Sequence, residues 1–569
     1  MNGTGSTTRK VPDGCKFHRN VGKLDVTNVT EANKFLELFP FNEPPRISFD
    51  WKTVPFLPAE EPLITDTTFR DGQQARPPYA VKDIVEIYKL LHELGGSGGL
   101  IRQSEFFLYR DPEREAVAKC LELGYAYPEV TGWIRAVPED FQFVKDAGLK
   151  ETGILTSASD YHIFLKLART RKEALELYLS VVDAALENGV IPRCHFEDVT
   201  RADIYGFIVP FAQKLMERAQ ETKVPIKIRL CDTLGVGTFE PRAVLPISVP
   251  KLMHVLQYEA GVPSKQLEWH GHNDFHRALA NAVTAWLYGC GAVNASLLSF
   301  GERTGNTHLE ALAVEYFRIF GGRIRPGNDI RLEVIGEIAE YYKRMGAQIP
   351  SNTPLQGSNA FATSAGLHAD GLFKNKTVYF SFDPEIVGSQ PSITISQTSG
   401  TGGIVLWLQL HRDETGIPIT NLAKEHPAVK KMLDWVTAQY TDGRTTTISD
   451  QEVFALAMQY RDALCMSKEA AETYLLSLEA NAQLPIKTEQ DVHSFLVQHS
   501  AELEFPEPPE NHPAVRLILD FVNNKLQHYG SISKDILLQG IREEYLDLLQ
   551  MDAKTAAEWL VSNRSGGGI

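Results

Sequence analysis

Residues 267–274 read Leu267-Glu268-Trp269-His270-Gly271-His272-Asn273-Asp274. On an extended strand, residues two apart point to the same face, roughly 7 Å apart. His270 and His272 can therefore grip one metal ion. The preceding QLEW reads as strand, and the following FHRALANAVTAWLYGCGA has small and apolar residues at helical spacing. The histidine pair thus falls where a strand ends and a helix is about to begin. In a barrel of alternating strands and helices, that is the face that carries chemistry.

The same rhythm runs outward in both directions. Strand-like runs occupy 61–66, 98–105, 127–136, 152–157, 190–196, 225–233, 266–270 and 292–300, with amphipathic helices such as 80–94 and 171–189 between them. Eight strand–helix units predict an α/β fold, a TIM (β/α)8 barrel over 61–325. A doubly wound open sheet is the alternative, but no GxGxxG loop follows the first strand. Residues 1–60 read as an N-terminal arm broken by prolines. Residues 326–415 are rich in Gly, Ser and aromatics and read as a small subdomain. Residues 416–569 read as a helical region with an internal repeat, because HPAVKKMLDWV at 426–436 recurs as HPAVRLILDFV at 512–522.

The chain carries a formal net charge of −15, which argues against nucleic-acid or anionic-membrane partners. No apolar run is long enough to span a bilayer, and the first residues lack the apolar core of a secretory signal. The six cysteines, Cys15, Cys120, Cys194, Cys231, Cys290 and Cys465, form no CxxC pair. They read as reduced thiols of a cytoplasmic protein.

Two more strand ends concentrate polar residues. The first runs into Asp66-Thr67-Thr68-Phe69-Arg70-Asp71-Gly72-Gln73-Gln74. Asp71 with His270 and His272 makes one carboxylate and two imidazoles on neighbouring strands, a facial site with open positions that suits Mg²⁺, Mn²⁺ or Zn²⁺. The last strand ends in Ser299-Phe300-Gly301-Glu302-Arg303-Thr304-Gly305-Asn306. Read as a site, it turns Asn306 to the metal, with Glu302 and Arg303 as a buried ion pair beneath.

DTTFRDGQQ, HGHND and GERTGN, in this order on strands one, seven and eight, resemble the DRE-TIM metallolyase superfamily. More narrowly they resemble its Claisen-condensing branch, the isopropylmalate, homocitrate, citramalate and Re-type citrate synthases. The resemblance covers roughly residues 60–390. It implies an acyltransferase that condenses acetyl-CoA with a 2-oxo acid and then hydrolyses the thioester. It implies metal ligation by Asp71, His270 and His272, and contact of Arg70 with the oxo acid. Thr233 matches the threonine that binds the acid's carboxylate, and Gln74 is grouped with the substrate-binding residues. HFEDVTRAD puts Glu197 at the family's catalytic glutamate, GLHADG supplies His368, and VYFSFDPEIVG supplies Tyr379. The base that deprotonates acetyl-CoA is one of these three. In dimeric relatives the histidine comes from the neighbouring chain, so a homodimer is implied.

Departures accompany the match. Gln73 replaces the usual Glu after Gly72, Thr363 replaces a family His, and helices stand where isopropylmalate synthases carry a leucine-binding domain. Arg193 lies four residues before Glu197, on the same side of its strand. It reads either as the cation for the distal carboxylate of a dicarboxylic oxo acid or as an internal salt bridge to Asp198 or Glu105. The first reading favours a dicarboxylic oxo acid, oxaloacetate giving citrate or 2-oxoglutarate giving homocitrate, over the branched or short oxo acids of isopropylmalate and citramalate synthases. The DTTFRDGQQARPPY and IRQSEFFLY stretches, which look like Re-citrate synthase sequences, lean to oxaloacetate. A carbon–carbon lyase fits less well, since lyases of this superfamily carry a Cys in the glycine loop where GERTGN has none. A catalytically dead scaffold fits poorly with intact Asp71, His270, His272, Arg70 and Glu197.

Overall fold

The computed structural model describes residues 10–563 apart from 75, 322–328, 364–370, 373–374, 419–421, 483–485, 530–531 and 533. Eight parallel strands close on themselves in sequence order. They are β1 (Leu63–Asp66), β2 (Ile101–Phe106), β3 (Glu129–Ile134), β4 (Glu151–Ser157), β5 (Ile191–Glu197), β6 (Lys227–Asp232), β7 (Leu267–Gly271) and β8 (Ala292–Ala295), with β8 pairing back to β1. All eight strand readings correspond to observed strands, and the expected helices appear as Val81–Gly95 and Arg171–Glu187. The closed barrel, rather than the open sheet, is the architecture. Among the described residues no helix is long and apolar enough to cross a membrane.

The strands alternate in an inverted sense. Apolar residues such as Ile228, Leu230, Cys194, Phe196 and Ile154 are fully buried. The positions between them carry Arg193, His195, Lys227, Arg229, Glu105, Glu151 and Glu268, whose side chains meet one another. A TIM barrel interior is usually filled by branched aliphatic side chains. Here it is filled by an ion lattice. Arg193 Nε donates to Glu151 (2.9 Å), Nη1 to Glu105 (3.4 Å) and Nη2 to Gln103 (2.7 Å). Arg229 bridges Glu105 (2.9 Å) and Glu268 (3.0 Å), and Lys227 reaches Glu151 (2.7 Å). Two guanidiniums and one ammonium thus meet three carboxylates. Burial opposes ionisation of Glu268, but Arg229 and Arg193 outweigh it and bring it down to about 2. Burial and the two arginines keep His195 neutral, down to about 3.

This settles Arg193 as the internal salt bridge. Its side chain is fully buried, and Nε, Nη1 and Nη2 are each engaged among Glu151, Glu105, Glu268 and Gln103. The substrate-binding expectation for Arg193 is corrected, because the carboxylates around it already satisfy the guanidinium.

The chain forms two compact units, one of 1–360 with 384–390 and one of 361–383 with 391–569. They divide at a different place from the composition shifts at 325 and 415. The helix Val334–Arg344 packs in the barrel unit, where the Tyr342 and Tyr79 hydroxyls meet at 2.8 Å. The second unit holds two apolar cores, one around Ile404, Trp407, Val429 and Leu456 and one around Leu496, Val515, Ile518 and Leu538. The HPAV repeat is also repeated in three dimensions. His426 Nδ1 accepts the Ala428 amide (3.3 Å) while Nε2 faces the Met466 carbonyl (3.4 Å). His512 does the same with Ala514 (3.2 Å) and Met551 (3.1 Å). Each histidine caps a helix, Pro427–Thr441 or Pro513–Tyr529, and ties its start to a later loop.

Replacing Arg193 by Met should lower stability by about 3–5 kcal/mol, since three buried carboxylates, Glu105, Glu151 and Glu268, would share only Arg229 and Lys227. Chemical denaturation would show it, and preference among oxo acids should stay unchanged. A stable variant that loses only dicarboxylic substrates would contradict the lattice assignment.

Candidate active site

One rung of laterally paired residues crosses the barrel's C-terminal end: Ser157 with Glu197, Glu197 with Cys231, Cys231 with His270, His270 with Asn294, and Asn294 with Thr65. Just past β1, the short turn Asp71–Gln73 lifts Asp71 over this rung. Asp71 Oδ2 lies 3.2 Å from His270 Nε2 and 3.9 Å from His272 Nε2, and the two imidazole nitrogens are 2.9 Å apart. All three side chains are buried, and their ligand atoms lie within 4.8 Å of one another.

The surroundings suit a cation. Burial opposes the charge on Asp71, but Arg70, His270 and His272 outweigh it and bring it down to about 2. Burial lowers His270 to about 4 and lowers His272 as well. At neutral pH the cluster is one anion and two neutral imidazoles, a donor set of the mixed oxygen–nitrogen kind. His270 Nδ1 faces Asn294 Oδ1 at 2.7 Å, an acceptor that keeps the proton on Nδ1 and leaves the Nε2 lone pair toward Asp71. Arg303 Nη2 lies 2.9 Å from His272 Nδ1, and a guanidinium can only donate. The His272 proton then sits on Nε2, so ligation through that nitrogen would require the proton to move to Nδ1 and Arg303 to turn away.

Asn306 stands beside the cluster. Its Nδ2 is 3.3 Å from Asp71 Oδ2, and its buried Oδ1 has no hydrogen-bond partner among the described residues. That orphaned amide oxygen is a fourth ligand in waiting. The loop that presents it is strained. Leu298, Ser299 and Arg303 take positive φ, and Gly305 at φ +88° leaves no room for a Cβ beside the Ser299 carbonyl. Glu310 pins this loop by accepting the Leu298 amide (2.8 Å) and Gln356 Nε2 (3.0 Å). The expected buried Glu302–Arg303 pair is corrected. Glu302 is 50 % exposed and Arg303 36 %, and the stronger partner of Arg303 is Asp274 (2.7 Å). The short linker lets Arg303 reach outward over His272 rather than beneath it.

Arg70 donates Nη1 to Asp71 and lies 4.6 Å over the Trp133 ring, with its buried Nε unpaired among the described residues. Gln73, where the family has Glu, is occupied internally, donating to the Phe69 carbonyl (2.6 Å) and accepting the Tyr79 amide (3.0 Å). Gln74 is exposed at the turn's end. The Thr233 hydroxyl accepts the Asp198 amide (2.8 Å), so it also fixes the end of β5.

Glu197 closes β5. Lys166 Nζ lies 2.9 Å from Oε2, His162 Nδ1 lies 3.0 Å away, and Ser157 Oγ donates to the same carboxylate. Burial opposes its charge, but His162, Ser157 and Lys166 bring it down to about 2. His162 and Lys166 escaped the sequence reading. They sit on a single π-helical turn, Tyr161–Lys166, whose i to i+5 spacing is not a strand or α-helix period. Cys231, on the rung between Glu197 and His270, is kept protonated by burial. Tyr379 is described in the second unit and is 44 % exposed. His368 lies outside the described residues.

The closed barrel with this cluster at its C-terminal mouth defines a class, and the HMGL-like family pattern matches residues 61–319. The chain belongs to the HMGL-like, DRE-TIM family. Within it, the chain is 44 % identical to Citrate (Re)-synthase of Syntrophus aciditrophicus over 96 % of this chain and 88 % of that one. It is 45 % identical to Citrate (Re)-synthase of Clostridium kluyveri over 75 % of this chain and 94 % of that one. The 2-phosphinomethylmalate synthase of Streptomyces hygroscopicus is 35 % identical over 76 % and 97 %.

Two expectations follow. Asp71→Ala and His270→Ala should abolish activity and cut divalent-metal binding without unfolding the barrel. Elemental analysis with circular dichroism checks this, and turnover by either variant in metal-scrubbed buffer would sink the assignment. Glu310 gives a pH signature. Burial raises its carboxyl from 4.5 to about 7, so the fold favours the neutral form. Its stability contribution is full below the unfolded value, falls as pH rises through this window, and is flat above about 7. Glu310→Gln removes that term, so wild type should lose melting temperature relative to the variant between those values. A difference independent of pH would refute it.

Proposed function

We propose that this chain is a Re-type citrate synthase, an acyltransferase that condenses acetyl-CoA with oxaloacetate and hydrolyses the thioester to release citrate and CoA. The observation that carries the reading is the Asp71, His270 and His272 cluster beside Arg70, in a chain similar over 96 % and 75 % of its length to two Citrate (Re)-synthases. Asp71, His270, His272 and the Asn306 oxygen would hold a divalent cation, and a mixed set of two oxygens and two nitrogens suits Mg²⁺, Mn²⁺ or Zn²⁺. Such a cation supplies Lewis-acid polarisation of the ketone.

The chain's own groups do the rest. Arg70, with an unpaired Nε, donates to the oxygen on which negative charge develops as the new carbon–carbon bond forms. Thr233 holds the carboxylate next to the ketone, and Gln74 lines the approach. A methyl proton of acetyl-CoA passes to the Glu197 and His162 pair. Glu197, held as an anion by Ser157 and Lys166, is a weak base, and the His162 ring 3.0 Å away is the neighbouring group that can share the proton. The family resemblance implies Tyr379 and His368 as further catalytic residues, and a homodimer whose partner supplies the histidine. A cytoplasmic setting fits six cysteines of which none is in a disulfide.

The second carboxylate of oxaloacetate needs a cation, and Arg193 is committed to the lattice. Arg76 takes its place in this reading. It lies 3.9 Å over the Tyr79 ring and 5.5 Å from the Phe300 ring, next to Gly301, whose Cβ position would touch Asn306 Oδ1 at 2.6 Å. Its buried Nη1 has no hydrogen-bond partner among the described residues. A guanidinium held by aromatic faces rather than carboxylates keeps its charge for a ligand.

Thiol release should be measured with acetyl-CoA, Mn²⁺ or Mg²⁺, and oxaloacetate, 2-oxoglutarate, pyruvate or 2-oxoisovalerate. Oxaloacetate should give the highest kcat/KM, with citrate as product. Arg76→Ala should raise KM for oxaloacetate far more than for pyruvate. Fastest turnover with 2-oxoglutarate or 2-oxoisovalerate would replace the substrate assignment with that of a homocitrate or isopropylmalate synthase. No CoA release with any oxo acid would leave a scaffold.

A further inference from the structure

A second ligand-bearing cluster lies on the outside of the barrel, built from the N-terminal arm and the helix that precedes β7. His18 Nδ1 is 3.2 Å from His254 Nε2 and 3.7 Å from Glu259 Oε1. The three residues offer ligand atoms within 4.8 Å of one another. Cys15 Sγ approaches the same His254 nitrogen at 3.7 Å. His254 and Glu259 are buried, and His18 keeps 22 % exposure of its side chain. We propose that Cys15, His18, His254 and Glu259 form a structural Zn²⁺ site that pins the N-terminal arm to the barrel.

Three observations carry it. The first is the spacing of the atoms. A tetrahedral site with bonds of about 2.0–2.1 Å to N and O and about 2.3 Å to S has edges of about 3.3–3.6 Å. The observed separations of 3.2, 3.7 and 3.7 Å fall around those edges, and Cys15 completes the figure by a turn about χ1.

The second is the backbone. His254 ends the α-helix Val249–His254, and Val255–Glu259 continues as a π-helical turn closed by Ala260 N to Val255 O at 3.0 Å. Five residues on along an α-helix, a side chain has turned to about 140° away from the first. The π turn brings positions i and i+5 back to one face, so it is this local irregularity that lets both ligands point at His18.

The third is the donor set. Two imidazoles, one thiol and one carboxylate, with Cys and His three residues apart on one segment, form a closed four-ligand set that suits Zn²⁺. The Arg19 amide donates to Glu259 at 2.9 Å, fixing the carboxylate as ligand fixation requires.

The arm that this site would anchor straps the barrel. Beyond it, Leu24 N donates to Gln213 (2.8 Å), Thr27 N to the Gly206 carbonyl (2.9 Å) and Asn33 N to Asp160 (2.8 Å). Asp160 opens the turn that carries His162 and Lys166.

The test uses the full chain, stripped with chelator and reloaded with Co²⁺ or Zn²⁺. Wild type and Asp71→Ala should both show a thiolate-to-cobalt charge-transfer band, and Cys15→Ser should lose it. Asp71→Ala should retain one Zn²⁺ through dialysis, while Cys15→Ser/His18→Ala in that background should bind Zn²⁺ about ten-fold or more weakly and expose its arm to protease. The proposal is overturned if wild type shows no thiolate band, if Cys15→Ser keeps it, or if the double substitution retains Zn²⁺ as tightly. Because the cobalt band is read on wild type, an unstable variant does not shelter the proposal. The outcome is independent of whether the barrel makes citrate.

Discussion

The barrel depends on a charge balance struck where no water reaches. Glu105, Glu151 and Glu268 face Arg193, Arg229 and Lys227 inside the ring of strands. Each ion alone would cost several kcal/mol to bury. Together they hold one another, and each arginine spans at least two carboxylates, so the lattice also fixes strand against strand. Glu105 on β2 reaches Arg193 on β5 and Arg229 on β6, and Glu268 on β7 reaches both. An aliphatic core would tolerate a shift of register. This one does not, because a shift breaks ion pairs that have no substitute.

The floor in turn governs the mouth. Above the lattice, Asp71 and two uncharged imidazoles stand within reach of one another, and the arginine nearest to them is already bonded to Asp71. A cation is the species such a pocket lacks. The loops around it spend backbone strain on holding position, at Asp198 after Glu197 and at Leu298, Ser299 and Arg303 before Asn306. Thr233 and Glu310, which accept the Asp198 and Leu298 amides, are what hold those strained turns in place.

The barrel was legible from the sequence because its strands and helices recur with a period the eye can follow. The metal cluster was legible because its residues stand at strand ends, two apart or beside glycines. Arg193 was not decidable. Its side of the strand follows from parity, but its partners lie 42 and 88 residues away, and only closure of the barrel decides whether a carboxylate or a substrate fills that space. His162 and the His254–Glu259 pair were missed for a different reason. Both rest on π turns, Tyr161–Lys166 and Val255–Glu259, where one added residue per turn realigns side chains that helical counting keeps apart. Cys15 and His18 carried a readable Cys-x-x-His spacing, but their partners lie more than two hundred residues away.

Substrate choice follows from the same geometry. With the floor neutral and closed, a dianionic oxo acid must be recognised from the rim. Lys166 is bound to Glu197, Arg201 to Asp198 and Arg303 to Asp274, so using any of these would mean breaking an existing pair. Arg76 is held by the faces of Tyr79, Phe300 and Tyr342 instead. An aromatic clamp positions a guanidinium without neutralising it, so the attraction to an incoming carboxylate is gained in full rather than exchanged. A branched apolar oxo acid would leave that charge unanswered, which is a penalty built against the wrong substrate as much as an attraction for the right one.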